Sequence, residues 1–245
     1  MRSVMRDARY GGILVAVTVA AIAGFFAGNS YVSRSVSDDN TRFIETQNGH
    51  LRRLDRGSSD GRIVFLGSST FQGLDTSAVT PVGLNLSVGG DTLSNLVRRA
   101  SEYRSLATAR AVIINIGLND LMQTCNQPET KIESLFALVP ALTPIVLVGV
   151  QTVTATRKPA ACNGDGVRLS ELIAALNDQL IRACNNRKLC QFVENPIVST
   201  LDEAARRDMM EADGIHLSPT GYALLAYKIR NALSNLGMPG PLPKS

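Results

Sequence analysis

The sequence predicts an α/β fold, a three-layer sandwich in which helices cover both faces of a central parallel sheet. Short apolar runs typical of buried strands recur along the chain, and amphipathic helical patterns lie between them. Once the N-terminal segment is set aside, about 200 residues remain, which is the size of a single α/β domain. The predicted strands lie near residues 62–66, 83–86, 111–116, 144–150 and 190–193. The predicted helices lie near residues 93–105, 129–138, 168–184 and 219–235.

The N-terminal segment predicts a membrane anchor. Residues 11–28 carry no charge over 18 positions, which is just long enough to span a bilayer, and three arginines precede them. Residues 1–10 should then stay in the cytoplasm, with the following domain in the periplasm or outside the cell. A cleaved signal peptide, which would give a secreted protein, is the alternative, because residues 21–23 (Ala-Ile-Ala) fit the cleavage pattern. The apolar pair at 25 and 26 just beyond favours the uncleaved anchor.

The rest of the chain divides into three parts. Residues 29–61 are polar and rich in charge, and they end in Gly-Ser-Ser-Asp-Gly, which predicts a stem or a short helix followed by a linker. Residues 62–236 hold all the predicted strands and form the globular domain. Residues 237–245 form a tail.

Charge and histidine content exclude two classes of function. The net charge is +4, but half of it lies before residue 34, so the domain lacks the basic surface that nucleic-acid binding requires. The chain has two histidines, His50 and His216, and no paired-cysteine or His-Glu-x-x-His pattern. We therefore expect neither a metal site nor a cofactor.

The four cysteines all follow the N-terminal segment, and an even number suits an oxidising compartment. Cys125 and Cys162 follow the third and fourth strands, on one side of the sheet. Cys184 ends a helix and Cys190 begins the last strand, on the opposite side. This topology predicts the disulfides Cys125–Cys162 and Cys184–Cys190. Four reduced thiols remain the alternative for a cytosolic domain.

The candidate base is His216, because His50 lies upstream of the globular domain. Asp213 precedes His216 by three residues, so on a loop its carboxylate can reach the imidazole Nδ1 and leave Nε2 free to accept a proton. The candidate nucleophile is Ser69, which follows the first strand after the turn-forming Gly67; its neighbour Ser68 is the rival.

Two further loops at strand ends offer hydrogen-bond donors. Gly90 follows the second strand, and Asn119 follows the third. With the Ser69 N–H, the Gly90 N–H and the Asn119 amide would form a three-donor oxyanion hole. Asp91 and Asp120, which neighbour two of these residues, are expected to brace the loops.

In order and spacing, these segments resemble the SGNH (GDSL-type) hydrolase superfamily, whose four signature residues match Ser69, Gly90, Asn119 and His216. The first motif departs from Gly-Asp-Ser, because Ser68 occupies its middle position; no catalytic group is lost. The resemblance covers roughly residues 60–236. It implies a flavodoxin-like sheet of strand order 2-1-3-4-5 and a serine esterase with an Asp213-His216-Ser69 triad.

Together these features predict a membrane-anchored, exported esterase that hydrolyses O-acetyl or other short acyl esters of a glycan or lipid. The absence of tryptophan and an aromatic content of 5% argue against a broad groove for long polysaccharides. An O-acetyltransferase for cell-envelope polysaccharide, using the same residues with a donor-delivering membrane partner, is one alternative. A non-catalytic glycan-binding domain is the other.

Overall fold

The computed structural model describes residues 42–153, 162, 165–197 and 202–238. Its centre is a five-stranded sheet in which every neighbouring pair is parallel, in the order β2-β1-β3-β4-β5. The strands are β1 (Ile63–Gly67), β2 (Gly83–Asn85), β3 (Ala111–Asn115), β4 (Ile145–Val148) and β5 (Cys190–Val193). The predicted fold class and strand order are therefore confirmed, and each strand lies within two residues of its predicted bounds.

The described residues form eight helices besides the sheet. They are α1 (42–57), α2 (Ser69–Gln72), α3 (Leu93–Ala100), α4 (Leu118–Thr124), α5 (Ile132–Phe136), α6 (Gly166–Asn185), α7 (Glu203–Met209) and α8 (Pro219–Asn235). Two 3-10 helices, Thr76–Ala78 and Arg104–Thr108, complete the described elements. All four predicted helices are present, although the first two are shorter than predicted.

The sheet divides the core into two layers because successive strand side chains point to opposite faces. In β1, Val64 and Leu66 pack on the side of α3, α4, α5 and α6. Ile63 and Phe65 pack on the side of α2 and α8. All four of these side chains are buried, which gives the three-layer sandwich that the sequence predicts.

The polar segment before β1 contributes to the domain. The described residues from Asn48 onward form one compact unit, which includes the C-terminal part of α1; the sequence assigns this part to the stem or short helix before β1. Asp55 of α1 is buried and accepts hydrogen bonds from the N–H groups of Arg104 (2.9 Å) and Ser105 (3.1 Å). Asp55 thus caps the 3-10 helix that begins at Arg104, whereas α3, which the sequence predicts to reach residue 105, ends at Ala100.

The predicted anchor, residues 11–28, lies outside the described residues. Within the described ranges, no helix is both long enough and apolar enough to cross a membrane.

Both predicted disulfides are present. Cys125 at the C-terminus of α4 pairs with Cys162, 37 residues along the chain. Cys184 in the last turn of α6 pairs with Cys190 at the start of β5, six residues on. The first bond fastens the end of α4, and the second closes the turn between α6 and β5.

Asp120 joins α4 to α3. It is buried in the first turn of α4, and both carboxylate oxygens accept the N–H of Leu93, the first residue of α3, at 3.2 and 3.0 Å. Burial raises the pKa of Asp120 to about 6; the Leu93 N–H opposes this shift, and the nearby charge of Asp91 adds to it.

Asp120→Asn should therefore change the pH dependence of stability. In the folded protein the Asp120 carboxyl stays protonated up to pH about 6, whereas in the unfolded chain it loses its proton near the ordinary pKa of 3.8. A rise in pH across this interval therefore favours unfolding of the wild type. The variant lacks this titration. Its free energy of unfolding should rise relative to the wild type by up to about 3 kcal/mol between acidic and neutral pH.

Urea denaturation at the two pH values measures the effect. Asp178→Asn, a matched change of an exposed carboxyl on α6, is the control. An equal difference between Asp120→Asn and wild type at both pH values would contradict the prediction.

Candidate active site

The loops that follow β1, β2 and β3 carry the candidate residues to the carboxyl edge of the sheet, where parallel α/β folds hold their ligands. Ser69 begins α2 directly after β1. Gly90 lies in the loop after β2, and Asn119 is the second residue of α4, after β3. His216 lies just before α8.

The turn after β1 separates the two candidate serines. A Cβ at Gly67 would lie 2.4 Å from the backbone oxygen of Asn115, so only glycine fits beside β3 here. Ser68 donates its N–H to that same oxygen at 3.3 Å and is only 4% exposed. Ser69 is partly exposed. The turn therefore presents Ser69, and not Ser68, to an incoming ligand.

The Gly90 loop packs against α2. Gly89 donates its N–H to Gln72 Oε1 at 2.7 Å, and a Cβ at Gly89 would lie 3.8 Å from Cβ of Ser69. Gly90 is exposed, with φ of +78°, which glycine adopts readily. Its N–H has no acceptor among the described residues. The Ser69 N–H opens a helix and so lacks an intrahelical partner. Two backbone donors are thus left on neighbouring loops.

Asn119 connects the third loop to the second. Its Nδ2 donates to the backbone oxygen of Asp91 at 2.9 Å. A primary amide carries two hydrogens, so this bond fixes the orientation of the side chain and leaves the second hydrogen for another acceptor. Gly117, with φ of +118°, is the N-cap residue of α4; a Cβ there would lie 2.7 Å from Leu176 Cδ2.

A buried arginine lies behind these loops. The Arg99 side chain donates to Asp91 Oδ2 (2.6 Å), to the backbone oxygens of Leu86 (2.5 Å) and Gly67 (3.3 Å), and to the Tyr103 hydroxyl (2.8 Å). The side chains of Arg99 and Asp91 are 5% and 1% exposed. Burial raises the pKa of Asp91, and the charge and hydrogen bond of Arg99 oppose that shift.

The Asp213–His216 pair has the predicted geometry. Asp213 Oδ2 lies 2.5 Å from His216 Nδ1, and Asp213 Oδ1 accepts the N–H groups of Ile215 (2.9 Å) and His216 (3.0 Å). Partial burial pushes the pKa of Asp213 up, but the hydrogen bonds and charge of His216 and the Ile215 N–H outweigh this and lower it to about 2. The ionised carboxylate therefore accepts the Nδ1 proton and leaves Nε2 as the free nitrogen.

Two residues that were not predicted from the sequence, Arg99 and Gln151, form hydrogen bonds to the loops of the site. Arg99 aligns with the apolar face of α3 through Leu96, three residues earlier, so its position could have marked it as buried. Gln151 is a polar residue directly after the predicted fourth strand, at the ligand edge of the sheet. It is 1% exposed and donates to Thr70 Oγ1 and the Ile215 oxygen.

The candidate residues are thus brought together in two groups. Asp213 and His216 form one, and Ser69 with the Gly90 loop and Asn119 forms the other. Within the described part of the chain, no hydrogen bond joins Ser69 Oγ to His216 Nε2. Such bonds are often long without substrate and tighten when it binds. No cluster of three or more His, Cys, Asp or Glu side chains among the described residues could hold a metal ion.

Solved structures share this fold. A Streptococcus pneumonia protein whose name refers to platelet activating factor is 17% identical with a TM-score of 0.67, covering 84% of this chain and 98% of that one. A GDSL-like lipase from Bacteroides thetaiotaomicron is 16% identical with a TM-score of 0.61, covering 77% and 97%. A lipase/acylhydrolase from Enterococcus faecalis is 20% identical with a TM-score of 0.54, covering 71% and 96%.

Two comparisons of the sequence with known proteins gave different results. No curated protein matches the chain significantly. The model of the GDSL-like lipase/acylhydrolase family, however, matches residues 65–224, a span that runs from β1 into α8 and includes every candidate site residue. This chain belongs to the GDSL-like lipase/acylhydrolase family and is a hydrolase of ester bonds.

Proposed function

We propose that this protein is a serine esterase in which Ser69 is the nucleophile, His216 the base and Asp213 the residue that orients the base. The observation that carries the proposal is the Asp213–His216 hydrogen bond of 2.5 Å within a loop that the same carboxylate closes through two N–H groups. It fixes the tautomer in which Nε2 accepts a proton. Ser69 is partly exposed whereas Ser68 is buried, which supports Ser69 as the nucleophile.

The reaction proceeds by acyl transfer to water. Ser69 Oγ attacks the ester carbonyl carbon while His216 Nε2 takes its proton. The oxyanion accepts hydrogen bonds from the N–H groups of Ser69 and Gly90 and from the free hydrogen on Asn119 Nδ2. The imidazolium then protonates the departing alcohol. In the second half, Nε2 takes a proton from water, the resulting hydroxide attacks the acyl-serine, and the acid is released as Ser69 regains its proton.

The proposed substrates are O-acetyl or other short acyl esters on a glycan or lipid. The His216 side chain is 39% exposed, which supports a site open to an ester on a larger molecule. The low aromatic content and the absence of tryptophan favour recognition of a small group over stacking along a polysaccharide.

The proposed location is the outer face of the cytoplasmic membrane, with residues 11–28 as a single-pass anchor. The arginines before this segment support that orientation. Two disulfides in the domain suit an oxidising compartment.

Ser69→Ala should abolish both hydrolysis of a short-chain aryl ester and covalent labelling by a fluorophosphonate, because it removes the attacking oxygen. Ser68→Ala is the matched control one residue away and should keep the labelling, since Ser68 is buried beneath the turn. Mass spectrometry of the labelled peptide identifies the modified serine. Labelling at Ser68 in the Ser69→Ala protein would overturn the assignment.

Asn119→Ala should lower kcat by about 10²-fold with little change in KM, because it removes a donor that acts on the developing oxyanion. Asn126→Ala is the control: its exposed amide lies beyond the other end of α4 and donates to the Thr124 oxygen at 3.0 Å. Steady-state kinetics on the same aryl ester measure both variants. A change in KM alone would make Asn119 a substrate-binding residue instead.

The full-length protein should retain residues 11–28, fractionate with membranes and expose its domain to protease added from the exterior face of the cytoplasmic membrane. A chain lacking residues 1–40 is the control and should be soluble. Peptide mapping without reductant should link Cys125 to Cys162 and Cys184 to Cys190. A mature protein that begins at Gly24 would contradict the anchor and leave export standing; a cytoplasmic domain with free thiols would contradict both.

A further inference from the structure

We propose that Gln151 is a positioning residue that sets the spacing between Ser69 and His216; this inference rests on the proposed function of those two residues. Gln151 lies three residues beyond Val148, the last residue of β4, and is 1% exposed. Its amide nitrogen donates to Thr70 Oγ1 at 2.9 Å and to the backbone oxygen of Ile215 at 3.2 Å.

The two acceptors are the immediate neighbours of the proposed nucleophile and base. Thr70 follows Ser69 in α2, and Ile215 precedes His216 in the loop before α8. Both hydrogens of one planar amide are used, so a single rigid group spans the two segments. A shift of either segment would break a hydrogen bond in a buried place, where an unpaired polar group is costly.

The other hydrogen bonds that the structure describes for the His216 loop do not reach α2. Asp213 holds His216 from within the loop, and the Glu211 N–H closes the loop onto the His216 oxygen at 2.8 Å. These contacts fix the shape of the loop, but they do not fix its distance from α2. Gln151 supplies a connection from the loop to the segment that carries Ser69.

Gln151 is itself held by the sheet. Asn195, beyond β5, directs its Nδ2 toward Gln151 Oε1 at 3.5 Å and toward the Gly149 oxygen at 3.3 Å. Asn195 Oδ1 accepts the N–H of Ile197 at 3.1 Å. The amide of Gln151 is therefore attached to the carboxyl ends of β4 and β5, which gives it a rigid base from which to hold the two segments.

The test is Gln151→Met, which keeps the length and approximate volume of the side chain but removes both donors. A displacement of reacting groups by about 1 Å can cost about 10²-fold in rate. We expect kcat and the rate of fluorophosphonate labelling at Ser69 to fall together by about 10- to 10²-fold, with KM within about twofold of wild type.

Two further variants separate positioning from general stability. Thr70→Val removes one acceptor of the Gln151 amide, and the double variant with Gln151→Met should be no slower than the slower single variant, because both changes break the same connection. Asn177→Leu removes another amide that bonds to the backbone beside Gln151, through the N–H (2.8 Å) and oxygen (3.0 Å) of Val150. It should lower Tm while kcat stays near wild type.

Gln151→Met labelled at the wild-type rate would overturn the inference. The inference would also be overturned if the loss of rate were in the same proportion to the loss of Tm in Gln151→Met and in Asn177→Leu. Gln151 would then affect the rate only through stability. A wild-type protein that is not labelled at Ser69 would instead overturn the proposed function itself, and the inference with it.

Discussion

The buried guanidinium of Arg99 is the interaction on which the arrangement of the site depends. It hydrogen-bonds at once to the ends of β1 and β2 and to the carboxylate of Asp91, next to Gly90. A buried charge is costly unless it is paired and hydrogen-bonded, so these contacts are coupled: removal of one partner of a buried ion pair typically costs about 3–5 kcal/mol. The loops that carry Ser69 and Gly90 can therefore not move independently.

The Arg99–Asp91 pair also positions the Asn119 loop, but it does not position the His216 loop directly. Asn119 donates to the backbone of Asp91, so the loop after β3 takes its position from the same ion pair. Among the described hydrogen bonds, none joins the His216 loop to this network, and the Asp213 carboxylate fixes the shape of that loop. Gln151 joins the two groups. A site assembled in this way is preorganised mainly by buried hydrogen bonds among loops at one sheet edge.

The parts that sequence could predict are those with a local signal. Parallel strands buried on both faces appear as short apolar runs, and the disulfide pairing follows from the side of the sheet on which each cysteine falls. Helices α2 and α4, with four and seven residues, are too short to show a helical period. The cap that Asp55 provides for Arg104 and Ser105, and the bonds of Arg99 and Gln151, join residues that only the folded chain brings together, so no local pattern contains them.

Helix α4 shows how redox environment and site geometry are connected. Its N-terminus carries Asn119 and is held to α3 by Asp120, and its C-terminus is held by the bond from Cys125 to Cys162. Closing a loop of 37 residues constrains the unfolded chain by about 4 kcal/mol in the chain-entropy model. This disulfide, which an oxidising compartment favours, therefore stabilises the folded domain and also fastens the short helix that carries Asn119. The proposed location outside the cytoplasm would allow the Cys125–Cys162 disulfide to form, and the proposed oxyanion hole uses the helix that this disulfide fastens.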